Sequence, residues 1–535
     1  MKKKPSFIPY QQHQLTLLPP SLEELIPEKH VVRVVNRAID NIDVSKLYEK
    51  YEGGGRSSFH PVMMLKVVIY AYTQKIYTCR MIAKECRENI MFMWLSGCAK
   101  PDYITINRFR SERMKDVIID IFAEVVDLLN REGYIKLENY FLDGTKIEAN
   151  ANKYSWVWGK STKRYKENLR KKCEELLQGI DKINEEENEA YGDNDLEELG
   201  SDKEIDSQAI REAADRINEK LKKNPNDKEL KKAKTLIEKD YLPRMEKYEK
   251  QEEILNGRRS YSKTDTEATF MRMKEDHMKN GQLKPGYNVQ IGTENQFILG
   301  YSVHQRPGDT SCFKEHMEQA KKILGELPKN VIADAGYGSE ENYEYLQKED
   351  LNNYVKYNTF HKEASKKWKN DLSKVQNWGY DEQKDEYVCG YGKRLVFAYE
   401  KKQKSENGHI SFIRVYRGTE CKDCPYRPYC VKSDKPEHNR QIYINRRLDE
   451  LKAEARANLT SETGLVLRSQ RAIEPETVFG DIKGNSGIRR FLLRGLKKVD
   501  IEWGLIGAGQ NYVSSFDTAP FSHTIYLLMP FSSRT

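Results

Sequence analysis

Between residues 21 and 131 apolar positions recur every three to four residues, in PVMMLKVVIYAYTQ, TCRMIAKECRENIMFMWLSG and TINRFRSERMKDVIIDIFAEVVDLLNREG, and this spacing predicts a run of helices. Pro61 stands where a helix begins, and Gly97 and Gly133 close two of them. Arg80, Lys84, Arg87, Arg108, Arg110 and Arg113 fit a helix-turn-helix-like DNA-binding unit. They also fit the solvated face of a helical bundle, and composition alone favours that reading. The pattern then shifts to a strand in LENYFLDGTKIEANAN. There Asp143 follows Tyr140, Phe141 and Leu142, and an Asp-Gly turn is expected to lead into a second strand.

From 160 to 257 the apolar residues thin to narrow stripes in a background of Lys and Glu. Tyr165, Leu169, Leu176, Ile180 and Ile183 form one stripe, and Ile210, Ile217 and Leu221 another. EEENEAYGDNDLEELGSD and NPND separate them, which predicts antiparallel, coiled-coil-like helices inserted into a larger fold. From 286 the period becomes two: GYNVQIGT, the turn ENQ and FILGYSVHQ read as a hairpin. The helix TSCFKEHMEQAKKILGEL, the strand NVIADAGYGS, the helix SEENYEYLQKE and the strand NNYVKYN follow, as in a mixed sheet with helices on its faces. Asp334 comes directly after Val331, Ile332 and Ala333, at the carboxyl edge where open sheets place ligands.

The changes of pattern predict a mixed α/β chain in five parts. An all-α region spans 1–132, core strands and helices 133–159 and 258–360, and the helical insertion 160–257. A Cys-containing, β-rich insertion spans 361–460, and 461–535 supplies a glutamate-bearing helix and the rest of the core. The length of 535 residues leaves room for more than one hydrophobic core. A charged fraction of 32% and a mean hydropathy of -0.81 suggest a soluble protein. The opening MKKKPSFIPYQQHQLTLLPP lacks the apolar stretch of a secretory signal, and the late TIYLLMPF is far short of the roughly 20 residues of a membrane span. A cytoplasmic protein with no membrane partner is expected. Nine scattered cysteines argue against a disulfide framework, and the net charge of +8 is the small difference between 90 basic and 82 acidic residues.

Asp143, Asp334 and a glutamate of RAIEPETVFGDIKGNSGIRRFLLRG are far apart in sequence, yet neighbouring strands and a helix across their edge would bring them together. Carboxylate oxygens are the ligands Mg²⁺ prefers, and crowding like charges makes sense mainly around a cation. Two such ions can activate an attacking oxygen and stabilise a leaving one in phosphoryl transfer. Cys421, Cys424 and Cys430 form a CxxC with a third cysteine, and Cys389 can supply a fourth. That set suits a structural Zn²⁺, with reduced, unliganded thiols equally compatible. Glu148 and Glu267 lie near the first two motifs, and Glu148 fits a solvated strand position better than a group supporting the site from behind. His304 and Asp309 read as turn residues. Trp156 and Trp158 suit core packing, or stacking on unpaired bases.

YFLDGTKIEANANKYSWVWGKS around Asp143, NVIADAGYGSEENYEYL around Asp334, and ETVFGDIK followed by GIRRFLLRG together resemble the insertion-sequence DDE transposases. PVMMLKVVIYAYTQ and PDYITINRFR extend the resemblance over most of the chain outside the 160–257 insertion. The resemblance implies an RNase H-like core in which Asp143, Asp334 and the glutamate of an E-x6-K signature hold Mg²⁺ or Mn²⁺, two ions being expected. It implies that Lys483 contacts DNA near the scissile phosphate. The family's tyrosine and arginine positions ahead of the glutamate hold Ser469 and Ala472 here, with Arg468 and Arg471 close by and out of that register. Residues seven apart share a helix face, so Glu476 points with Lys483, whereas Glu474, ahead of Pro475, suits a helix cap.

By this resemblance the substrate is double-stranded DNA, the element's terminal repeats and a target, bound by a homodimer and recognised mainly through the N-terminal helices. A metal-activated water cuts a strand, and the freed 3′-hydroxyl attacks the target with no covalent enzyme intermediate. Arg471, Arg489, Arg490, Arg494, Lys497 and Lys498 are expected to grip phosphates. The rival readings are an RNase H-like nuclease without strand transfer, a non-catalytic DNA-binding descendant, and a helical scaffold with unrelated surface carboxylates.

Overall fold

The computed structural model describes the chain apart from residues 1–20, 52–56, 192–204, 274–281, 423, 432, 434, 436 and 519–535, with backbone only for 179–191. The opening basic stretch, TIYLLMPF, and the side chains of Ile180 and Ile183 therefore lie outside the described residues. The chain divides into two units, Met1–Lys136 with Trp503–Thr535, and Leu137–Glu502. Among the described residues no helix is long and apolar enough to cross a membrane.

The second unit is built on β1 (Asn139–Glu148), a strand buried along most of its length. The other strands of its sheet are β2 (Thr269–Arg272), β3 (Leu283–Glu294), β4 (Phe297–His304), β5 (Asn330–Ala333) and β6 (Asn352–Val355). β1 pairs antiparallel with β3 on one side and parallel with β5 on the other, and β6 continues the sheet parallel to β5. β2 and β4 both pair antiparallel with the outer edge of β3. The β3–β4 hairpin turns through Asn295 and Gln296, both left-handed at φ 52° and 65°, the backbone a tight two-residue hairpin requires.

Successive residues of β1 face opposite sides. Tyr140 bonds His316 of the helix Phe313–Leu324 (2.8 Å). Phe141 packs with Ile332 and Tyr354 against Leu459 and Leu467, from the helices Arg446–Thr460 and Glu462–Gln470. The expected turn at Asp143-Gly144 does not form, because both residues continue β1 and pair with Ile291 and Gln290. Gly144 serves close approach instead, since a Cβ there would strike the Gln290 side chain.

The insertion leaves and re-enters through the paired strands Trp156–Trp158 and Ser260–Ser262. It folds around its own core of Leu169, Ile210, Ile217, Ile237 and Met245, and Tyr165 stays largely exposed, stacked on Tyr248. Trp156 and Trp158 both contact Phe270 of β2. Residues 379–444 form a five-stranded antiparallel sheet.

In the first unit the helices Pro61–Thr73, Cys79–Glu88 and Ile118–Arg131 form where the spacing predicted, and Gly97 and Gly133 take left-handed φ of 56° and 79°. Arg110 is buried, its guanidinium donating to the Tyr77 carbonyl (2.7 Å), and Arg113 donates to the Lys50 carbonyl. These two arginines are thus occupied within the fold, while Arg80, Lys84, Arg87 and Arg108 are exposed. Residues from Trp503 on, expected to complete the catalytic core, belong to this unit. Their apolar side chains Trp503, Leu505 and Ile506 are buried, and Gly509 packs closely on Tyr72.

Candidate active site

The register of two parallel strands brings the aspartates together. Leu142 pairs with Ala333, so Asp143 and Asp334 are the next residues on adjacent strands, at the edge where β5 ends and β1 runs on. Asp143 accepts from the Gly144 N–H (2.8 Å), and Asp334 Oδ1 accepts from the Gly336 N–H (2.8 Å). Asp143 lies on the same face as Phe141. The helix Glu474–Gly480 packs on β1 and β3 and adds Glu476.

Arg471 sits in the short turn between Glu462–Gln470 and Glu474–Gly480, and its guanidinium stands among all three carboxylates. Nη2 is 3.7 Å from Asp143 Oδ1 and 3.6 Å from Asp334 Oδ2, and Nη1 is 3.9 Å from Glu476 Oε1. The side chains of Arg471 and Asp143 are 13% and 11% exposed, against 41% for Asp334 and 59% for Glu476. Among the described residues no three His, Cys, Asp or Glu side chains are grouped so as to hold a metal ion. Here the guanidinium stands between the acids.

Glu474 takes no part in this cluster and does not cap its own helix. Its carboxylate accepts from the Gln296 N–H (2.8 Å) and pins the β3–β4 turn, because the helix start lies directly over that hairpin. Burial pushes its carboxyl above the ordinary value, opposed by the Gln296 N–H.

Asp143, Gly144, Thr145, Glu476, Phe479, Gly480, Lys483, Gly484 and Arg489 line a cleft of about 490 Å³. Lys483 therefore shares the face of Glu476, as the seven-residue spacing predicts, although the last turn widens over Asp481–Asn485. Arg490 and Arg494, expected at phosphates, donate to the carbonyls of Ala149, Ala151 and Asn150 at 2.7–3.2 Å, tying their segment to the end of β1. Lys497 and Lys498 are exposed at the start of the helix Leu496–Thr518. Arg468 lies over the Phe360 ring. Glu148 is not solvated: it is 13% exposed and pairs with Lys284 (3.2 Å) and Lys153 (3.7 Å). Glu267 accepts from the Leu496 N–H (2.7 Å).

Sequence reasoning missed Lys356, which follows β6 at the carboxyl edge that carries Asp334. Burial holds its amine below the ordinary lysine value, with Arg471 and Arg468 adding to the effect and Asp334 opposing it. Its place at the end of a parallel strand was the available signal. It also missed a buried network beneath Asp143. Tyr337 donates to Gln290, whose amide donates to Asp309 (3.0 Å), and Asn288 donates to the same oxygen (2.8 Å). Burial, then Asp309, Asp143 and Asp334, keep the Tyr337 hydroxyl protonated. Asp309 thus anchors the site's floor, and His304, read as a turn residue, is buried at the end of β4 and bonded to Ser302 (2.6 Å).

Residues 388–514 match the family described as Transposase DDE domain, and residues 20–112 match Transposase domain (DUF772). Both matches are to transposase domains, and together they support an insertion-sequence DDE transposase. No curated protein and no solved structure matches it. The DDE match contains Arg471, Glu476, Lys483 and Arg489, whereas Asp143 and Asp334 precede it. The case for the two aspartates therefore rests on their register across β1 and β5. The family implies DNA substrates.

Proposed function

We propose that this transposase cuts DNA at the ends of its element and joins the freed 3′-hydroxyls to target DNA, using Asp143, Asp334 and Glu476. The observation that carries this reading is the convergence of three carboxylates, from two strands and a helix, on a single cationic group. An oxygen-only donor set around a positive charge is the chemistry that suits Mg²⁺ or Mn²⁺. Such ions, when bound, activate the attacking oxygen and neutralise the leaving one. The guanidinium of Arg471 is a stand-in that must move aside for them. The order β4–β3–β1–β5–β6, with β1, β5 and β6 parallel, supports an RNase H-like core.

The chain's own groups prepare the site. The Gly144 and Gly336 N–H groups fix one oxygen of each aspartate. Lys483 and Arg489 line the same cleft as Asp143 and Glu476, placed to hold a phosphate beside them. Arg471, once displaced, is a further phosphate donor, and joining two element ends calls for two copies of the chain. The test is to incubate the full-length protein with the DNA that flanks its gene and Mg²⁺ or Mn²⁺, and to sequence the products. Element ends joined through their 3′-hydroxyls to new DNA support the reading. Nicks without joints favour a nuclease, and intact DNA favours a non-catalytic binding protein.

A further inference from the structure

The four cysteines of the β-rich insertion come from two separate segments yet line one pocket. Cys389 ends the strand Glu386–Val388, Cys421 and Cys424 follow Ile410–Gly418, and Cys430 closes the short helix Arg427–Cys430. All four are free thiols, none fully buried, around a cavity of about 30 Å³, the volume of a single water-sized body. We infer that Cys389, Cys421, Cys424 and Cys430 form a structural tetrathiolate site for one Zn²⁺.

Several local features suit this use. The Lys393 N–H donates to Cys389 Sγ (3.3 Å), and a Cβ on Gly418 would crowd Cys421 Sγ, so glycine makes room for that thiol. Tyr391 and Tyr426 stack at 3.8 Å and hold the two cysteine-bearing turns side by side. Four thiolates around one divalent ion leave a charge of about minus two, and Lys393, Arg427 and Arg440 line the same pocket to offset it. The thiols surround the cavity without standing at metal-binding spacing. Binding draws the two turns together, each thiol releasing its proton to solvent. A soft, tetrahedral donor set selects zinc over the oxygen-seeking ions of the carboxylate site. An iron–sulfur cluster would need far more space.

The test uses full-length protein purified under reducing conditions without added chelator. Elemental analysis is expected to find about one zinc per chain. Titrating the wild-type thiols with an organomercurial is expected to release that zinc as four thiols react. Cys424→Ser and Cys389→Ser should lose it, whereas Cys98→Ser, in the first unit, should keep it. Because either site variant could misfold, the wild-type release experiment stands independently of them. Zinc-free protein in which these four thiols react freely or pair as disulfides would overturn the inference, as would full zinc retention in Cys424→Ser. Iron in place of zinc would overturn the choice of metal.

Discussion

Replacing Arg471 by glutamine removes the cation that stands among Asp143, Asp334 and Glu476 at 3.6–3.9 Å. At such separations a single pair near a protein surface has a Coulomb energy of about 4 kcal/mol, but exposure and salt reduce what is realised. Asp334 and Glu476, at 41% and 59% exposure, contribute roughly 0.5 kcal/mol each. The shielded Asp143 adds about 1 kcal/mol, which brings the total to about 2 kcal/mol. A divalent ion entering the wild-type site must displace that interaction. Arg471→Gln is therefore expected to bind Mn²⁺ roughly 30-fold more tightly than wild type. Without metal the variant loses the cation that stands among the three carboxylates, so it should melt lower than wild type and gain more on adding Mn²⁺. Titration of free Mn²⁺ by electron paramagnetic resonance, with thermal melts alongside, measures both effects. Unchanged or weaker Mn²⁺ binding in the variant would refute the stand-in role.

Glu474 gives a pH prediction. Burial raises its carboxyl above the ordinary value of 4.5, so the folded chain keeps the proton to higher pH than the unfolded one. That contribution to stability is full below about 4.5 and is lost as pH rises through the raised value. Glu474→Gln, which can still accept from Gln296, should flatten this decline in melts between about pH 4 and 7, and a curve parallel to wild type would contradict the assignment. Gly292→Ala places a Cβ on the ring of Tyr140, whose hydroxyl is tied to His316, and denaturant melts should show a loss of at least about 1–3 kcal/mol. Excising residues 160–257 with a short Gly-Ser linker should leave a folded protein that still binds Mn²⁺. The Gly159 N–H already bonds the Arg259 carbonyl (2.9 Å), and the insertion has its own core. Loss of Mn²⁺ binding in the excised protein would show that the insertion supports the site.

Much of this architecture follows from local rules. Period-two alternation and a polar turn place the β3–β4 hairpin, Pro61 starts its helix, and an apolar strand ending in Asp334 marks the sheet's carboxyl edge. The failures share one cause, the override of local preference by partners distant in sequence. Asp143-Gly144 has the composition of a turn, but β3 on one flank holds it extended, and glycine is needed because Gln290 crosses above it. Glu474 has the sequence context of a helix cap, but a hairpin 178 residues away supplies its partner. Arg471 lies one position from the family's arginine, and nothing in that spacing reveals that its side chain turns inward between strands. Residues 503–518 follow Glu476 in sequence, yet their apolar faces belong to the first unit, information held only in that unit's surface.

We propose that Asp143, Asp334 and Glu476 act as one metal-dependent catalytic set, distinct from Glu474. A plasmid carrying the gene with its flanking DNA, incubated with Mg²⁺ and full-length wild type, Asp143→Asn, Asp334→Asn, Glu476→Gln or Glu474→Gln, tests it in one gel. Cleaved and joined products are expected with wild type and Glu474→Gln, and none with the other three, each of which should still bind the DNA. Joined products from any of those three, or their loss in Glu474→Gln with the fold intact, would contradict the account.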